Sequence, residues 1–127
     1  MTGYDQQRVS DAVGAALAGP GGVGMVVKVF CAVPGVVLTP ARRGFFRSEP
    51  ERILIGDWRY EVTSDGRLSA SHLVNGIVLA EQVLAAGEVG PHIARALAQL
   101  VSHYGPTIQP GIDAALEMLE TFGGRGY

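Results

Sequence analysis

The chain has 127 residues, enough for one domain with a real core and too few for two. With 47% hydrophobic and 17% charged residues it is globular rather than disordered, and a formal charge of -2 gives no global pull toward nucleic acid or anionic lipid. The single cysteine, Cys31, cannot form an internal disulfide, and the apolar run near residues 25–38 is broken by Lys28 and Pro34-Gly35, so no membrane span is expected.

The opening MTGYDQQRVSDAVG lacks the cationic start and apolar core of a signal peptide, and the expected location is the cytoplasm. Lys28 is the one lysine among ten basic residues, and Ala, Gly and Val abound. GC-rich codons favour that mixture, which points to a high-GC bacterial source.

Within residues 4–18, Val9, Ala12, Val13, Ala16 and Leu17 recur at helical spacing, with Gln7, Arg8 and Asp11 off that side. The spacing predicts an amphipathic helix, capped by Thr2 with Asp5 three residues on and stopped by Gly19-Pro20. GPGGVG at 19–24 then spells G-x-G-x-x-G, the string of many dinucleotide-binding loops. That fingerprint needs a strand before it and a helix after it, whose N-terminal N–H groups hold the pyrophosphate. Here a helix precedes, no G-K-[ST] follows, and Arg42, Arg43 and Gly44 occupy the region where an acidic ribose partner belongs. The string reads as a helix stop and a turn.

MVVKVFCAV at 25–33 is β-branched and short, which predicts a strand. Pro34-Gly35 suits the centre of a type II turn into VVLT, residues 40–50 read as a loop, and RILI at 52–55 resumes a strand. WRYEVTS, Asp65-Gly66, RLSASHLV, Asn75-Gly76 and IVLAEQVL follow in turn. Asp-Gly and Asn-Gly between strand-like runs are strong hairpin signals, so residues 58–84 are expected to form a three-stranded antiparallel meander.

If both connections are two-residue loops, Arg59 lies opposite His72 and His72 opposite Leu79, while Glu61 lies opposite Ala70 and Ala70 opposite Glu81. Arg59, Glu61, His72 and Glu81 then share one face, with the glutamates about 10 Å apart, two strand spacings of about 4.8 Å each. Two carboxylates and a histidine suit acid–base work, which makes Glu61, His72 and Glu81 the candidate catalytic residues. A solvated face whose opposite charges pair explains the same residues without chemistry. Trp58, Tyr60, Val62, Leu73, Val78 and Ala80 would stand together on the other side as core. Leu68, Val74, Ile77, Leu79 and Val83 fall on the polar side, too much apolar surface to leave wet.

Past AAGEVG, Pro91 suits a first helical residue, and Ile93, Leu97, Leu100, Val101 and Tyr104 form one stripe ended by Gly105-Pro106. A last helix is expected from Pro110 to Phe122, with Ile112, Leu116, Leu119 and Phe122 on one side and 123–127 as a flexible tail. His92 and His103 lie eleven residues apart on one helix, about 16 Å along its axis, too far to share a metal. Cys31 in an apolar run reads as a structural thiol, and no G-x-S-x-G elbow is present. No metal site and no cofactor is expected.

The segment ARRGFFRSEPER, 41–52, sets Arg42, Arg43, Arg47 and Arg52 around Phe45 and Phe46. Arginine and aromatics are enriched at protein interfaces, and Glu49 and Glu51 offset the charge that nucleic acid would need, so a protein partner is favoured there over nucleic acid, while core-filling by the two phenylalanines under a solvated loop explains the same residues without a partner. The expected fold is a single α+β domain over residues 1–122: an antiparallel sheet of about five strands, with one N-terminal and two C-terminal helices mainly on one face. Two functions follow from it. One is a non-enzymatic interaction module, a homodimer through the half-apolar sheet face around Leu79. The other is a ligand-binding protein or small enzyme with a pocket near Arg59, Glu61, His72 and Glu81.

Overall fold

The meander written around Asp65-Gly66 and Asn75-Gly76 forms the larger part of the sheet in the computed structural model, which describes residues 3–19, 22–45 and 48–123. Strands β1 (Val37–Thr39), β4 (Arg52–Ile55), β5 (Trp58–Val62), β6 (Leu68–Val74) and β7 (Ile77–Leu84) pair antiparallel in the order β1-β4-β5-β6-β7. Between β1 and β4 the chain makes a small ribbon of β2 (Arg42–Arg43) and β3 (Ser48–Glu49), where a plain loop was expected. Helices α1 (Gln6–Leu17), α3 (Ala86–Tyr104) and α4 (Gln109–Gly123) complete an α+β fold with its helices mainly on one face of the sheet.

Asp5, rather than Thr2, caps α1: its carboxylate accepts from the Arg8 N–H at 3.1 Å, while Thr2 lies outside the described residues. Asp5→Ala is therefore expected to cost about 1 kcal/mol, read as a drop in the urea midpoint. Val9, Ala12, Val13 and Ala16 are buried.

The expected strand at 25–33 is instead a helix, α2 (Val23–Lys28), running into a 3-10 turn at Val29–Ala32. Val26, Val27, Phe30 and Val33 recur at i, i+1, i+4 and i+7, and all four are buried. That helical spacing outweighs the strand preference of single valines, because burial against neighbouring elements exceeds intrinsic propensity. Pro34-Gly35 makes the expected turn, with Gly35 at φ 94 and Val36 N–H donating to the Val33 carbonyl.

Helix α3 begins at Ala86, not at Pro91. Glu88 makes the early start workable, since its carboxylate accepts from the Ala85 N–H at 2.8 Å. Gly90 lets α1 lie close, for a Cβ there would stand 2.6 Å from the Ser10 carbonyl oxygen. Ile93, Leu97 and Leu100 are buried as predicted, as are Ile112, Leu116 and Leu119 of α4. The side chain of Phe122 and residues 124–127 lie outside the described part. Among the described residues no helix is long and apolar enough to cross a membrane.

Candidate functional site

The position of every predicted site residue depends on strand register, and register is where sequence and structure part. Asn75-Gly76 is the two-residue loop expected, with Asn75 at φ 53 and Gly76 at φ 80. Asp65-Gly66 is not. There Thr63 N–H donates to the Arg67 carbonyl at 2.8 Å, so three residues, 64–66, make the connection. Only Gly66 of the three takes a positive φ, as in a type I turn followed by a left-handed residue. Thr63 supports this form, its hydroxyl accepting from the Arg67 N–H at 3.0 Å and bonding the Asp65 carboxylate.

One residue more in the turn turns the pairing over. Trp58 lies opposite His72, Arg59 opposite Ser71, and Glu61 opposite Ser69. A second shift, between His72 and Leu73, sets His72 opposite Ala80, Ser71 opposite Glu81 and Ser69 opposite Val83. Arg59, Glu61 and Glu81 thus keep a common face, as predicted, while His72 leaves it and Ser71 takes its place. Leu68, expected beside them, is buried in the core. Val62, Val78 and Ala80, expected in the core, are exposed, and Leu73 falls on the Arg59 side.

The outer face is a half-buried polar strip. Arg52 Nε donates to Glu61 Oε1 at 3.1 Å, and Arg59 Nε lies 3.9 Å from the same oxygen. The Ser71 hydroxyl donates to Glu81 Oε2 at 2.9 Å. Ser71 is fully buried and Ser69 nearly so. Beside the strip runs exposed apolar surface from β7, the edge strand: Leu79 is 62% exposed, with Val78 and Val83 also in solvent, while Val74 and Ile77, exposed too, pair with each other on the His72 side. The register shift makes Val78 and Leu79 together oppose Leu73, as in a β-bulge.

His72 belongs to an aromatic cluster on the helix side. It stacks on Trp58 with centroids 4.8 Å apart, and His92 of α3 meets Trp58 edge-on at 4.4 Å. His92 is 4% exposed, with its Nδ1 2.7 Å from the Tyr60 hydroxyl. Burial pushes Tyr60 well above the ordinary phenol value. Burial likewise lowers His92, helped by the Arg95 cation and opposed by Glu88. The sequence paired His92 with His103 by helix spacing. The better signal was His92 beside Ile93 and four residues before Ala96, on the buried side.

Arg42 and Arg43 lie exposed on the β2–β3 ribbon, opposite Glu49 and Ser48, and Phe45 near its tip is 97% exposed. Phe46 and Arg47 lie outside the described residues. Cys31 is half-buried, and desolvation raises its thiol above the usual value, which disfavours the reactive thiolate. Among the described residues, no group of three or more His, Cys, Asp or Glu side chains could hold a metal ion.

Comparison with the curated proteins and with the solved structures gives no match. Residues 1–121, nearly the whole chain, match the family described as a domain of unknown function, DUF5073. The chain belongs to that family.

Proposed function

We propose that this domain is a non-enzymatic protein-interaction module that self-associates through the outer face of its sheet. The observation that carries the reading is the long edge strand β7, where Val78, Leu79 and Val83 stand exposed beside a polar strip of Arg59, Glu61 and Glu81. Edge strands left in solvent are usually short, charged or covered, because their unpaired backbone and apolar side chains recruit other chains. β7 has eight residues and one charge, Glu81. The opposite edge, β1, has three residues and runs into Pro40, so it offers little to a partner.

The catalytic alternative rested on a histidine between two carboxylates. With His72 across the sheet, Glu61 is bonded to Arg52 and Glu81 to Ser71, and no histidine stands between the two carboxylates. The β2–β3 ribbon extends the interaction reading: Arg42, Arg43 and Phe45 are residue types that interfaces favour, held out on a short arm.

Light scattering on the wild type and on Leu79→Asp tests the proposal. The expected result is a wild-type mass of twice the 13.3 kDa chain, and a folded monomer for Leu79→Asp. A wild type that stays monomeric at micromolar concentration would remove self-association as the reason for the exposed face.

A further inference from the structure

Arg59 sits in an unusual state for a surface guanidinium. Its side chain is 24% exposed, and its Nε is buried with no hydrogen-bond partner. The carboxylate beside it, Glu61, is held by Arg52 at 3.1 Å and stands 3.9 Å from Arg59. Nε itself is closed off, but a guanidinium paired this loosely can take an acceptor from outside the chain at the part of it that stays in solvent.

The row that holds Arg59 shows which acceptor fits. Arg59 pairs with Ser71, and Ser71 with Glu81, so a cation and an anion stand about 10 Å apart, at two strand spacings of about 4.8 Å, on either side of β6. Between them β6 presents only the small, buried Ser71 and, two residues on, Ser69. Rotating this face by half a turn about an axis along β6, and laying it on itself, puts each Arg59 over the other copy's Glu81. The row is self-complementary in charge. A twofold contact of this kind closes after two copies, as isologous interfaces do.

We infer that a second copy of this chain packs face to face on the outer sheet surface, about a twofold axis along β6, with Arg59 of each copy paired to Glu81 of the other. This rests on the self-association reading above and adds to it a geometry and a residue pair. Packed sheets lie about 10 Å apart, a gap that an arginine and a glutamate reach across from opposite sides. Leu73 lies on β6 near the axis, and Val78 and Leu79 oppose it at the edge, so apolar surface flanks the ion pairs. Partial exclusion of water there strengthens the pairs, and matching signs set the register of the two copies.

Charge reversal tests the pairing. Arg59→Glu, Glu81→Arg and the double variant are compared with the wild type by sedimentation equilibrium, with circular dichroism and thermal midpoints as the control for folding. Each single reversal faces like charges across the axis and is expected to weaken the dimer at least about tenfold, while the double variant restores it to within about threefold of wild type. Glu81 is exposed, so Glu81→Arg is expected to fold even if Arg59→Glu does not, and it carries the test alone through its weakened dimer. A wild-type dimer that Leu79→Asp splits but Glu81→Arg leaves intact would overturn the pairing and keep the reading of the face. A double variant no tighter than the single ones would also overturn the pairing. A wild-type monomer would overturn both.

Discussion

Gly90→Ala is expected to destabilise the domain by about 2 kcal/mol, although alanine is the better helix former. Two effects oppose each other here. In a helix interior, alanine gains about 0.5–1 kcal/mol over glycine because the unfolded chain has less freedom to lose. Against this, the new methyl carbon would stand 2.6 Å from the Ser10 carbonyl oxygen and 3.2 Å from its hydroxyl oxygen. A side chain could rotate away from such a contact, but a backbone carbonyl within α1 cannot. Relief requires α1 to lift from α3, and α1 holds Val9, Ala12, Val13 and Ala16 in the core. Overpacking of this sort costs about 1–3 kcal/mol and sometimes more, which exceeds the propensity gain. A thermal midpoint lower by roughly 6–10 °C would show it. Gly14→Ala is the control, being exposed on α1 with nothing within 4 Å of its added carbon, and is expected to gain up to about 1 kcal/mol. Equal effects at the two positions would mean that the close approach of α1 and α3 is unimportant.

Much of this architecture is legible in the sequence for physical reasons that can be named. The apolar residues of α1, α3 and α4 recur at helical spacing, and the meander strands are bounded by residues that tolerate a positive φ. What escaped is finer than an element. Whether Ser64-Asp65-Gly66 turns in two residues or three depends on one residue's φ, a small energetic choice decided here by the Thr63 hydroxyl. That choice moves His72 from one face of the sheet to the other and separates a candidate catalytic group. The shift at His72/Leu73 repeats the lesson: it carries no glycine or proline to announce it, yet it sets Ser71, not Ala70, opposite Glu81. Residues 25–33 mislead differently, because valines prefer strands but here follow a helical period into the core. Arg59, Glu61 and Glu81 survived as a group because the two register shifts kept these three on a common face.

The pair between Tyr60 and His92 should make stability depend on pH in a window that the carboxylates do not reach. The hydroxyl and Nδ1 lie 2.7 Å apart inside the core, and both shifts favour the neutral pair, with Tyr60 O–H donating to an unprotonated Nδ1. Tyr60→Phe leaves that nitrogen buried without a donor, and is expected to cost about 1–3 kcal/mol in urea unfolding at pH 7.5. Folding lowers the affinity of His92 for a proton below its ordinary value of 6.5, first by burial and then by the Arg95 cation. Below that pH the unfolded chain binds a proton that the folded one refuses, so stability falls as pH drops from about 6.5 and levels off beneath the folded value. Glu120, lowered by its hydrogen bond to Arg8, acts only further into acid. His92→Gln can still accept from Tyr60 but has nothing to titrate. Its urea midpoint is expected to be flat between pH 6.5 and 5.5, where that of the wild type declines. The same decline in both proteins would place the titrating group elsewhere and reduce the Tyr60–His92 contact to packing.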